Sequence, residues 1–237
     1  MIFETRLLIC AALLGVTALI DLKTREVDDK IWVIFGALGL TLSIIEVILG
    51  VSPNVTLYIV SFGLTSGLAF LLYFLKFYGG ADAKALSAIS LILPLFEGST
   101  ILHPISGITI LTNSVFLTLA FPIYLGIKNL ILIIQNVEIF EGLESEPIYK
   151  KIFACLLGYR IRKGSKNKFL LRLEKTIDGR RRFDFSLIGD DEDFVTETEI
   201  WVTPGIPLLF IMALGFAFMY FIGDILGLII LNVFRLI

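Results

Sequence analysis

Two aspartates stand at the margins of apolar segments: Asp21 closes the first and Asp82 opens the fourth. A carboxylate at the edge of a bilayer costs free energy and generally has a task. Two carboxylates brought to the same face cannot easily both ionise, so one keeps a proton while the other stays charged. That division suits peptide hydrolysis: the charged group activates water and the protonated group polarises the scissile carbonyl. No metal or other cofactor is required. No competing constellation is apparent, because the only histidine, His103, lies beside Pro104, and Cys10 and Cys155 lack zinc-ligand spacing.

The residues around each acid bear on that chemistry. Asp82 follows Gly79, Gly80 and Ala81, a small-residue approach that allows positive φ or close passage of a substrate backbone. Lys84 and Lys23 each lie two residues from one of the acids. Glu26, Asp28 and Asp29 follow Asp21 and are candidates to bind a basic peptide segment. Asp21 ends a helix, where the macrodipole is negative, whereas Asp82 begins one. On that ground the dyad's proton is expected on Asp21, with Asp82 activating the water. Asp224 and Glu46 read as outer-interface residues, and Asp190 as part of a soluble loop.

The elements that must position these groups are membrane helices. The chain has 237 residues, 57% of them hydrophobic, and a mean hydropathy of +0.89. A span needs roughly 20 apolar residues. Six segments qualify: Ile2–Ile20, Ile31–Leu49, Val55–Leu75, Ala83–Leu102, Ile105–Ile134 and Ile206–Leu236. The fourth carries Pro94 and is expected to kink there. The fold expected is an all-α polytopic membrane protein of six transmembrane helices, with a small cytoplasmic α+β insertion between helices five and six. Its parts are a five-helix region 1–136 with both aspartates, a soluble insertion 137–203, and a sixth helix 204–237.

Basic residues set the orientation. Lys23, Arg25 and Lys30 follow helix one, Lys76 and Lys84 flank the turn before helix four, and most of the others lie in the insertion. By the positive-inside rule these loops face the cytoplasm of a plasma-membrane protein, both termini lie outside, and both aspartates reach the cytoplasmic face. Arg6 is the one opposing charge. A net charge of −2 suggests no nucleic-acid partner.

Within the insertion, Pro147–Gly158 has Ile148, Ile152, Leu156 and Tyr159 near helical spacing, suited to a helix on the membrane surface. Lys168–Ile177 and Arg181–Ile188 flank Asp178-Gly179, a hairpin signal. Phe169, Leu171 and Leu173 are expected on one face, opposite Phe183, Phe185 and Leu187. Lys150 to Arg182 carries twelve basic residues and two acids, while Asp184 to Glu199 carries seven acids and no basic residue. The block Asp190–Asp193 lacks the spaced ligands and glycine of a calcium loop.

Asp21 with its Leu22-Lys23-Thr24-Arg25 tail, and Gly79-Gly80-Ala81-Asp82-Ala83-Lys84, resemble the motifs of archaeal preflagellin peptidases. These are relatives of type IV prepilin peptidases among the GxGD-type intramembrane aspartyl proteases. The six-helix layout with a polar insertion before the last helix is similar over nearly the whole chain. Ala81 stands where the GxGD pattern has its second glycine. The resemblance implies Asp21 and Asp82 as catalytic and Gly79, Gly80, Ala81, Lys84 and Lys23 as supporting. It implies preflagellin or pilin-like precursors as partners, with a short basic leader removed at the cytoplasmic membrane border. No Pro-Ala-Leu tripeptide is present, which separates the chain from presenilin relatives. The alternative is an ion- or proton-coupled transporter or channel using the two acids as its site, which predicts discontinuous helices and internal repeats.

Overall fold

The computed structural model describes residues 2–51, 54–98, 100, 102–161, 169–177, 179–185 and 199–235. The chain is mostly helical, with a small antiparallel β region. It divides into two compact units, Met1–Leu117 with Pro207–Ile237, and Thr118–Ile206.

Helices α1 (Ile2–Thr24), α2 (Asp29–Ile48), α3 (Val55–Phe74), α4 (Gly80–Ile92) and α5 (Ser106–Thr118) build the first unit together with α8 (Leu208–Phe221) and α9 (Ile225–Arg235). In α1 the buried positions are Arg6, Cys10, Leu13, Leu14, Thr17, Ala18 and Asp21. They recur every three or four residues and form one face. Leu8, Val16, Leu19 and Leu22 lie exposed on the other side. Arg6, Thr17 and Asp21, the polar groups on the buried face, are thus kept away from the exposed apolar side, as lipid solvation favours. This stripe carries Asp21 into the interior.

α4 packs against α2 and α3. Its inward residues include Ala83, Ala85, Leu86, Ala88 and Ile89. A Cβ at Gly39 of α2 would collide with the backbone of Leu91 and Ile92. Small residues on both helices therefore permit the close approach. α3 adds a buried stripe of Ser61, Thr65 and Ala69. Gly107 of α5 leaves room for Thr65.

Among the described residues, four helices or helix runs are long and apolar enough to cross a membrane: Ile2–Thr24, Asp29–Ile48, Val55–Phe74 and Ser106–Ile134. The bent pair α8–α9 makes a fifth if taken as one span, with a 50° break. Among the described residues, these helices do not account for all six expected spans. Segment four does not kink at Pro94 but ends before it: α4 stops at Ile92, and Leu95 bridges Ile105. The residue preceding a proline is driven out of helical conformation. Thirteen residues rise about 20 Å, short of the ~30 Å hydrocarbon core.

The far end of α4 explains Arg6. Its guanidinium is buried and pairs bidentately with Glu46 of α2, at 3.2 and 2.8 Å. It also donates to the Ile92 carbonyl at 2.6 Å and to Leu91 at 3.3 Å. Tyr58 of α3 donates to Glu46 at 2.9 Å. Arg6 thus caps the C-terminal carbonyls of α4, where a cation is favoured by the dipole. Glu46 and Arg6, read from the sequence as an outer-interface acid and the one opposing charge, are thus a buried ion pair.

In the second unit, α6 (Ala120–Ile134) packs on α7 (Ile148–Leu157). α7 begins after Pro147 and ends at Gly158, matching the expected segment. Asn129 of α6 donates to the carbonyls of Cys155 and Gly158. Strands β1 (Tyr159–Ile161), β5 (Ile200–Pro204) and β2 (Leu170–Arg172) form an antiparallel sheet in that order. Tyr159 stands opposite Val202, and Leu171 opposite Thr203. A separate hairpin pairs β3 (Glu174–Ile177) with β4 (Arg180–Phe183), turning through Gly179 at φ +72°. The hairpin is present, but its first arm is shorter than expected. The chain leaves β2 at Arg172 and enters β3 at Glu174, so Leu173 breaks the alternation. Leu170 and Leu173 are consequently buried while Leu171 is exposed. Trp201 lies between Phe140 and Phe183 and donates to the Ile139 carbonyl. The acidic block Asp190–Asp193 and Leu187 lie outside the described residues.

Candidate active site

α8 starts after Pro207, which offers no capping side chain. Its first turn nevertheless has N–H groups that need acceptors. Asp21 supplies one from another helix: its Oδ2 accepts the Leu209 N–H at 3.2 Å. The Phe210 N–H also bonds to this carboxylate. Asp21 is therefore at the C-terminal end of α1 and at the N-terminal end of α8 together. The sequence reading recognised only the first of these positions.

Arg25 closes the cluster. It follows the last turn of α1 at φ +61°, with its N–H returning to the Asp21 carbonyl at 3.3 Å. That left-handed residue reverses the chain, and its guanidinium lies 3.7 Å from Asp21 Oδ1. The pair has the i,i+4 spacing that brings helix side chains together.

Asp82 is the third residue of α4. Its carboxylate reaches back to the Gly79 N–H at 3.0 Å, half of a capping box. Gly79 has φ −79°, so positive φ is not what the glycine provides. A Cβ there would stand 3.4 Å from Asp82 Oδ2, an ordinary contact, so the space around this carboxylate does not by itself demand glycine. Gly80 faces the Tyr73 ring, and Ala81 packs against the main core cluster. The structure brings Asp21 and Asp82 near enough for their charges to interact, and Arg25 acts electrostatically on both. Tyr78 donates to the Ala69 carbonyl at 2.9 Å. Burial and then the Asp82 charge push its phenol up to about 12, so it stays a neutral donor through ordinary pH.

The flanking charges divide into separate jobs. Lys84 pairs with Asp29 at 2.6 Å, tying the start of α4 to the start of α2. Asp28 caps α2 by accepting the Lys30 N–H. Glu26 and Lys23 are exposed. Among the described residues, no hydrogen bond or ion pair joins Lys23 to the aspartate cluster. Arg25 and the α8 amides were missed by the sequence reading. Arg25 was signalled by its spacing from Asp21. The amides had a fainter signal, an apolar run starting after a proline without a capping side chain.

The transporter alternative predicted a broken helix, and one exists between α8 and α9. Its polar groups are engaged with backbone. Asn113 of α5 donates to Gly223 at 3.0 Å and Gly215 at 3.4 Å, and accepts from the Ile225 N–H at 2.9 Å. Asp224 accepts from the Leu226 N–H. Asp224 is thus a buried cap of α9. Among the described residues no group of three or more His, Cys, Asp or Glu side chains is arranged to hold a metal.

Residues 8–123, which include both aspartates, match the type IV leader peptidase family. The chain is 27% identical over 244 residues to a protein named preflagellin peptidase from Methanocaldococcus jannaschii, covering 93% of this chain and 95% of that one. It is 26% identical over 234 residues to the preflagellin peptidase of Methanococcus voltae, covering 86% and 89%. It is also 26% identical to that of Methanococcus maripaludis, with the same coverage.

Proposed function

We propose that the chain belongs to the type IV leader peptidase family, which residues 8–123 match and whose preflagellin peptidases are similar to most of its length, and that it is a membrane-embedded aspartic endopeptidase that removes the short basic leader of preflagellin or pilin-like precursors. The observation that carries this reading is the convergence of Asp21 and Asp82 beside the first turn of α8. Neither acid is adjacent to the other in sequence. Two helices and a turn are spent on bringing them together, which a pair of unrelated interface residues would not need.

The reaction needs one ionised and one protonated carboxyl. The ionised group takes a proton from water as the oxygen attacks the scissile carbonyl. The protonated group hydrogen-bonds the carbonyl oxygen and stabilises the charge that develops there. The basic residues Lys23, Arg25, Lys30, Lys76 and Lys84 near the two acids support a site at the cytoplasmic border of the cell membrane. A precursor's basic leader would lie in the cytoplasm and its apolar helix in the bilayer. Incubation of the purified protein with such a precursor is expected to give one leader-length fragment, read by mass spectrometry. An intact precursor after prolonged incubation with folded protein would refute the reading.

Glu26, Asp28 and Asp29 are the acids proposed to bind the leader. Exposed ion pairs contribute about 0.2–1 kcal/mol each. The triple change Glu26→Gln, Asp28→Asn and Asp29→Asn is expected to raise KM about threefold to tenfold, with kcat little altered. Asparagine at 28 keeps the α2 cap. The wild-type KM should rise with salt toward that of the variant, because exposed charges are screened. A KM equal to wild type at low salt would assign these acids to loop structure alone.

A further inference from the structure

Asp21 and Asp82 receive unequal support. Asp21 accepts two backbone N–H groups from α8 and has the Arg25 guanidinium 3.7 Å from its other oxygen. Asp82 accepts one N–H, from Gly79. Donors and a cation aimed at a carboxylate favour its charged form. α8 adds the positive end of its dipole at Asp21, offsetting the negative end of α1. These contacts weigh against the assignment expected from the ends of α1 and α4 alone.

We infer that Arg25 is a positioning residue that holds Asp21 ionised and oriented as the base of the dyad, leaving the proton on Asp82. The inference rests on the aspartic-peptidase reading above. In the first step Asp21 takes one proton from water, and the water oxygen bonds to the scissile carbon. The carbonyl π electrons move to its oxygen, which takes the Asp82 proton, giving a neutral tetrahedral diol. In the second step Asp21 returns its proton to the amide nitrogen as the C–N bond breaks. One diol hydroxyl gives its proton back to Asp82 as the new carboxyl forms. The net change is the peptide plus water giving an acid and an amine, and both aspartates end as they began.

The charged and titratable groups around Asp21 are few. Arg25 faces it from its own helix, and Asp82 from α4. Tyr78 lies beside Asp82, and Lys84 is engaged by Asp29. α8 has no charged side chain. Arg25 is therefore the cation that can be removed to test the inference. Its backbone also makes the test clean. A non-glycine residue at φ +61° is strained, and glycine adopts that conformation freely.

The experiment measures kcat, KM and the pH profile of precursor cleavage for wild type, Arg25→Lys, Arg25→Gln and Arg25→Gly, with thermal unfolding of each. Arg25→Gly is expected to unfold no earlier than wild type, yet to lose about tenfold to a hundredfold in kcat at neutral pH, with KM little changed. Arg25→Gln should behave alike in rate. In both, the acid limb of the profile should move to higher pH, because Asp21 must be ionised and has lost its nearest cation. Arg25→Lys should keep that limb near its wild-type position. A role confined to ending α1 would leave Arg25→Gly fully active, and that result, with an unmoved acid limb, would overturn the inference. If Arg25→Gln fails to fold, the glycine variant still decides. Asp21→Asn and Asp82→Asn are measured alongside. If either cleaves normally, the dyad reading fails and takes this inference with it. If both are inactive while Arg25→Gly matches wild type, only the inference about Arg25 fails.

Discussion

Asparagine at position 21 or 82 is expected to reduce cleavage by about a thousandfold or more, while the protein still inserts and folds. The substitution keeps shape and hydrogen-bonding oxygen but cannot exchange a proton at neutral pH. The structure makes this a sharp test. Asp21 caps α8 through the Leu209 N–H, and Asp82 accepts the Gly79 N–H. Asparagine caps helices about as well as aspartate, so both structural duties survive. Loss of activity then reports chemistry. Asp224→Asn is the matched control: it too replaces a buried capping acid, on α9, and should keep substantial activity. Near wild-type rates in Asp21→Asn or Asp82→Asn, measured in single-turnover cleavage, would remove the dyad from the mechanism.

Breaking the Arg6–Glu46 pair should cost about 3–5 kcal/mol of stability, because the partner left behind is an uncompensated buried charge. Glu46→Gln leaves a guanidinium that cannot be neutralised. It would keep only Ser43 and the carbonyls of Leu91 and Ile92. Arg6→Met leaves Glu46 with the Tyr58 hydroxyl and leaves the end of α4 uncapped. Replacing both together, Arg6→Met with Glu46→Leu, should recover part of the loss, since an apolar pair avoids the desolvation penalty. Reversible unfolding in mixed micelles measures all three. Single variants within about 0.5 kcal/mol of wild type would show that the pair is exposed to water.

What could be read from the chain was local in origin. The aspartates stood out because each borders an apolar run, and the hairpin because its turn chemistry and both arms lie within a few residues. α7 was legible from Pro147, Gly158 and the periodicity between them. The pairing of Arg6 was not legible because it depends on Glu46 and on two carbonyls more than eighty residues away. The three-stranded sheet was missed since β1 and β5 are short and far apart in sequence. The contacts that bear on the proton assignment were hidden for the same reason: the ends of α1 and α4 are visible in the sequence, but the first turn of α8 against Asp21 is a tertiary fact.

The distance along the chain between Asp21 and its α8 donor has a consequence for biosynthesis. The two are 188 residues apart. Translation at about 5–20 residues per second makes the carboxylate roughly ten to forty seconds before Leu209. Every residue of the second unit emerges from the ribosome in that interval. The nascent protein therefore holds both aspartates long before it holds the helix end that receives Asp21. On the proposed reading, the capacity to cut precursors therefore arises only once α8 has been made.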